Sequence, residues 1–191
     1  MGNKLRGKDF ITVGIFTVIY FVITSAVAML GVIPIFVPLT AVLVPLVGGI
    51  PMMLYFSKVK KFGMVTLMSG LIGVLMLLTG MGYFSIFTGL LAGLLADLTL
   101  KNSGYHKNYV LAHGIFSLWV VGPFIPIVIA RDSYAEMMLQ YSTPEYVEQL
   151  MSYIPNWFLP VSAVVGFACG ILGALIGRAV FKKHFQRAGV V

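Results

Sequence analysis

Six stretches of this chain, residues 10–30, 37–57, 63–80, 83–100, 109–130 and 157–181, are apolar over a length that suits lipid and little else. A hydrocarbon layer about 30 Å thick takes roughly 20 helical residues to cross. The joints KVKKF, GMGY and KNSGYHKN between the second and fifth stretches are short. With 59% of residues hydrophobic and 10% charged, the chain lacks the polar surface that a water-soluble core needs. The expected architecture is all-α and integral to the membrane: one domain over residues 1–191, a bundle of six transmembrane helices.

The charges set the expected orientation. With both termini in the cytoplasm, the inner segments hold Lys4, Arg6, Lys8, Lys58, Lys60, Lys61, Lys101, Lys107, Arg178, Lys182, Lys183 and Arg187, twelve of the thirteen Lys and Arg. Only Arg131 falls outside. Retained basic residues mark cytoplasmic loops, and anionic headgroups account for them. The net charge of +7 therefore does not point to nucleic acid. The basic start MGNKLRGK leads into a run too long for a signal-peptide core, so it reads as a retained span. The single cysteine, Cys169, excludes a disulfide within the chain.

One segment breaks the apolar pattern: ARDSYAEMMLQYSTPEYVEQLMSYIPNW, residues 130–157. It holds Asp132, Glu136, Glu145 and Glu148, and the orientation above places it outside. Tyr134, Met137, Met138 and Tyr141 recur on one helical face, as do Val147, Leu150, Met151 and Ile154. Ser142-Thr143-Pro144-Glu145 supplies a hydroxyl cap, a first-turn proline and an early acid for the second helix. The pattern predicts two short amphipathic helices over about 131–156, hinged at Thr143 and lying as a lid on the outer mouth of the bundle. A loop resting on the lipid interface would suit the same Tyr, Met and Trp157.

Small residues and prolines mark other points of interest. Gly89 and Gly93 in the fourth span, and Ala163, Gly166, Gly170, Gly173 and Gly177 in the sixth, form stripes along which helices can approach closely. Such a stripe serves packing within the chain or docking of a partner. Prolines 38, 45 and 51 predict breaks in the second span, and prolines 123 and 126 a break in the fifth. Broken backbone in lipid is tolerated where it is buried or lines a cavity. The unusual features converge on the outer side: Met81, Tyr83, the Pro123/Pro126 break, Arg131, the lid and Trp157. Asp97, in the fourth span, reads either as a functional carboxylate or as a cap near Lys101. No nucleotide loop, zinc-protease motif or serine-hydrolase elbow is present, and an enzyme is not expected.

The blocks KDFITVGIFTVIYFV (8–22), GGIPMMLYFSKVKKFGMVTLM (48–68), GLLAGLLADLTLK (89–101), FSLWVVGPFIPIVIARDSY (116–134) and GILGALIGRAVFKKHFQRAGV (170–190) resemble the Trep_Strep family of bacterial membrane proteins. The resemblance runs nearly end to end. It implies a substrate-binding S component of an energy-coupling factor (ECF) importer, in the bacterial plasma membrane. Its partners would be one transmembrane T protein and two ATPase subunits, and the chain would carry no ATPase of its own. Such subunits take a vitamin or cofactor from outside and topple within the membrane to release it. For module docking the first span offers Gly14, Thr17, Ser25 and Ala28 in place of the Ala-x-x-x-Ala motif that many S components carry; Gly166, Gly170 and Gly173 of the sixth span are the rival face. Some family members resemble haem-uptake subunits, which makes haem the leading specific cargo, with no intrinsic cofactor. Met81, Tyr83, Tyr134, Met137, Met138, Tyr141 and Trp157 would line its slot and Arg131 would pair with a propionate; Met81 or a lid Met or Tyr would ligate the iron, or the haem would bind without strong ligation. No protein metal site is expected. A flat pyridine, pyrimidine or pteridine vitamin would stack in the same slot. A self-sufficient carrier and a structural membrane protein are the readings from other classes.

Overall fold

The computed structural model describes residues 4–105, 107–180 and 182. Among them there is no strand. Lys183 and Arg187, assigned above to the inner side, lie outside the described residues.

Among the described residues, five helical segments are long and apolar enough to cross a membrane. The first is α1 (Gly7–Ala28) with a 3-10 turn to Val32, and the second α2 (Phe36–Lys58). Next come α4 (Phe84–Asn102), a composite segment Tyr109–Ile129, and α9 (Phe158–Val180). Between α2 and α4, α3 (Met64–Leu78) is apolar but has only 15 residues, about 22 Å of helix. The expected span 63–80 is cut short by glycine. Gly80 sits at φ +84°, and the Met81 amide donates back to the Met76 carbonyl at 2.9 Å, the closing bond of a left-handed helix stop.

The composite segment is α5 (Tyr109–Phe116), a 3-10 stretch over Ser117–Phe124, and α6 (Ile125–Ile129). Pro123 has no amide to donate within that stretch. The Thr88 hydroxyl of α4 lies 3.2 Å from the Trp119 carbonyl and as close to the Phe84 carbonyl of its own helix. The expected break thus falls where the prolines put it.

In α2 the expected breaks do not occur. The helix runs unbroken through Pro45 and Pro51, and Pro38 lies in its first turn, where a missing amide costs nothing. Both inner prolines are buried, as broken backbone bonding in lipid requires. His113 of α5, fully buried, lies with Nε2 3.0 Å from the Pro45 carbonyl. A carbonyl only accepts, so Nε2 carries the proton, and Nδ1 is left without a partner.

The α9 glycines face inward. A Cβ on Gly173 would strike the carbonyls of Pro45 and Leu46, one on Gly177 the Gly49 carbonyl, and one on Gly170 the Ser117 side chain. Gly166 is likewise buried, beside Val120. The stripe is the seam on which α2 and α5 close, so it offers a partner no free surface.

At the end of the bundle that holds residue 4, Lys61 reaches Asp9 at 2.6 Å and the Lys4 carbonyl at 3.0 Å. Asp97 of α4 is there too, fully buried. One of its oxygens accepts from the amides of Gly63 and Thr66 at 3.0 and 2.8 Å and from the Thr66 hydroxyl at 2.7 Å. It caps α3 from a neighbouring helix, which favours the capping reading of this residue.

Candidate functional site

The segment after α6 forms two short helices, α7 (Arg131–Met138) and α8 (Pro144–Tyr153). Thr143 caps α8 through its hydroxyl, 3.3 Å from the Tyr146 amide, with Pro144 at the first position. Val147, Leu150 and Ile154 are buried, so the predicted apolar face of α8 is the face it turns to the bundle. Two polar contacts seat the pair. The Tyr146 hydroxyl donates to the Gly31 carbonyl at 2.5 Å, tying α8 to the α1–α2 turn. The Arg131 guanidinium donates to the carbonyls of Met151 and Ile154, joining the start of α7 to the end of α8. Burial raises the pKa of Tyr134, with Tyr146 adding to it, and burial raises that of Tyr146. Both phenols therefore stay neutral around pH 7.

Under this pair lies a cavity of about 380 Å³, within the range of small-molecule sites. The ends of α1 and α2 contribute Thr24, Ala28, Thr40 and Val44. Met76, Thr79 and Met81 come from the end of α3 and its following turn, and Trp119, Phe124 and Ile127 from the composite segment. Tyr134, Met137 and Met138 of α7 and Tyr146 and Leu150 of α8 cover it. No charged side chain is among the described lining residues. The Thr24, Thr40 and Thr79 hydroxyls already donate to carbonyls of their own helices, so toward a ligand they offer only lone pairs. Trp119 is 3% exposed, and its indole N–H donates to the Tyr20 hydroxyl at 3.0 Å. Tyr20 in turn meets Phe116 edge-on, with centroids 5.5 Å apart. That aromatic group supports the deep wall.

Of the residues singled out in the sequence, Met81, Tyr134, Met137 and Met138 meet at this cavity. Tyr83, Tyr141 and Trp157 do not: they are 56%, 80% and 63% exposed, and Tyr83 stacks on Phe84 at 4.4 Å instead. Arg131 is spent on the α8 carbonyls rather than aimed at the cavity. Among the first-span docking candidates, Thr17 is buried and bonded to the Val13 carbonyl, and Ala28 lines the cavity. Ser25 is half-buried, and Gly14 has open space beside it. Sequence reasoning missed Trp119 and the threonines. A tryptophan in the middle of an apolar span was the available signal, because its buried N–H needs a partner.

Arg131→Ala is expected to lower stability by about 2 kcal/mol, since it strips two charge-assisted bonds from the end of α8. Thermal unfolding in detergent checks this. An unchanged midpoint would mean that the guanidinium does not seat the pair.

The sequence profile of a family described as a hypothetical bacterial integral membrane protein (Trep_Strep) matches residues 7–187. Among curated proteins and solved structures nothing matches the chain.

Proposed function

The chain belongs to the Trep_Strep family of bacterial integral membrane proteins, and from that premise we propose that it is the substrate-capture S subunit of an ECF importer. On this reading it sits in the plasma membrane with six crossings and both termini in the cytoplasm. The α7–α8 pair is an outward lid, and the cavity beneath it holds a vitamin or cofactor. A T protein and two ATPases would supply the energy, and the chain itself performs no catalysis. The observation that carries the proposal is a cavity of about 380 Å³ covered by two helices, α8 tied to the bundle through Tyr146 and joined to α7 through Arg131. A covered cavity is what a capture subunit requires, and a structural membrane protein has no use for one.

The lining narrows the cargo. Burying a carboxylate without a partner costs several kcal/mol, and the described lining holds no cation. The part of the cargo inside is therefore neutral and flat enough to lie against Trp119 and Tyr134, as a pyridine, pyrimidine or pteridine ring would. Haem is the second reading, favoured by the Met81, Met137 and Met138 side chains and the Tyr134 phenol on the lining, which include residue types that ligate iron. Its propionates would have to project into water.

The test is mass spectrometry of whatever the purified protein releases, with an absorbance spectrum of protein from haem-fed cells. A released heteroaromatic that quenches tryptophan fluorescence in a Trp157→Phe variant supports the cavity, because Trp119 is then the reporter. A Soret band near one haem per chain moves the cargo to haem. Thr40→Trp, which fills the cavity from α2, should weaken capture at least about tenfold with little change in melting; that loss corresponds to about 1.4 kcal/mol. Unchanged affinity in that variant would remove the cavity from the transport cycle. Co-purification without T protein or ATPases from cells that express them would remove the importer.

A further inference from the structure

A second cleft, of about 730 Å³, opens at the opposite end of the bundle, between α2, the start of α5 and the end of α9. Its rim is basic. Arg178 lies in the last turn of α9 and Lys182 beyond its end, and Lys107 lines the same cleft from the joint before α5. Its floor is apolar, made by Met53, Val110 and Ile171. Among the described residues none of the three cations has an acidic partner. The sequence has few acids to offer: of its six, Asp9 pairs with Lys61 and Asp97 is buried in its cap. The other four, Asp132, Glu136, Glu145 and Glu148, lie in the α7–α8 segment at the far end.

Three uncompensated cations around a concave surface repel one another, and a phosphate among them relieves that repulsion. The apolar floor then distinguishes a lipid from a free ion. A headgroup phosphate at the rim leaves its acyl chains against Met53, Val110 and Ile171, which a soluble anion would leave bare. We propose that this cleft is a binding site for the phosphate group of an anionic phospholipid. The site is separate from the cargo cavity and does not depend on what that cavity holds.

The experiment compares retention of phosphatidylglycerol and phosphatidylcholine by the purified full chain in mixed micelles, read by native mass spectrometry, with inorganic phosphate as a third arm. Phosphatidylglycerol should be retained at least about tenfold over phosphatidylcholine. That preference should fall roughly fivefold with each of Lys107→Gln, Arg178→Gln and Lys182→Gln, while Arg178→Lys keeps most of it. Equal retention of the two lipids overturns the proposal, and so does an unchanged preference in the triple variant. Thermal protection by inorganic phosphate equal to that by phosphatidylglycerol, at matched ionic strength, assigns the cleft to a soluble anion and overturns the lipid. Displacement of the lipid by a polyglutamate peptide of equal charge marks a protein-docking site and overturns it as well. The wild-type comparison stands alone if the triple variant does not fold.

Discussion

Gly173→Val is expected to cost about 3 kcal/mol or more, a large share of a typical folding free energy, and so to lower recovery sharply on heating. The side chain would have to occupy space held by the α2 backbone, the Pro45 and Leu46 carbonyls and the Leu46 Cα. Backbone cannot rotate aside as a flexible side chain can. The reciprocal contact is as tight, since a Cβ on Gly49 would meet the Gly173 carbonyl. Moving α9 outward to make room would also open the contacts at Gly170 and Gly177. In lipid that separation is not resisted by water exclusion, so close packing is what holds the seam. Gly14→Val is the control, because nothing lies within 4 Å of its added carbon. Fluorescence-detected size exclusion after heating reads both. Equal recovery of the two variants would refute the seam.

Asp97→Ala is expected to lower stability by about 3–5 kcal/mol. The carboxylate takes the amides of Gly63 and Thr66, the two that a local capping box would serve, and the Thr66 hydroxyl as well. Without it, two amides and a hydroxyl near the start of α3 lose their partner in a site with little water. The negative charge at that helix start is lost too. Asp97→Asn keeps a carbonyl oxygen as acceptor and should recover roughly half of the loss. Thermal unfolding of both variants, set beside cargo binding, separates a cap from a transport role. A destabilised alanine variant that still binds when folded is the expected result. Full stability with lost transport would instead make Asp97 a working carboxylate.

The helices were legible because apolar runs of spanning length have few alternatives, and α8 because Thr143-Pro144-Glu145 is a local start signal. The break at Pro123 was legible for the same local reason. The continuity of α2 was not. Whether a proline breaks a helix in lipid depends on what the neighbours supply, and here α5 and α9 lie far off in sequence. The site divided along the same line. Tyr134, Met137 and Met138 share a short-range periodicity that faces inward once α7 forms. Tyr141 belongs to that periodicity on paper, but α7 ends at Met138, so the fourth member leaves the face. Arg131 was read as a ligand group because the orientation expected from the charges makes it the one outer cation. Its nearest acceptors are the carbonyls at the end of α8, a partnership that only the folded pair creates.

The shortness of α3 also bears on the bilayer around the protein. A helix of about 22 Å is shorter than a hydrocarbon layer near 30 Å, and tilting would shorten its reach further, so the lipid beside it would have to thin. The mismatch is concentrated at one point of the circumference, where α3 gives way to Gly80, Met81 and Gly82. Those residues also edge a smaller cleft of about 260 Å³, shared with Tyr134 and Met137. Lipid that sinks to meet the end of α3 carries the headgroup layer down to the level of that opening. A bilayer thinned there would form a dimple, and water and polar solutes would reach the flank of the cavity at a depth that a flat bilayer would deny them.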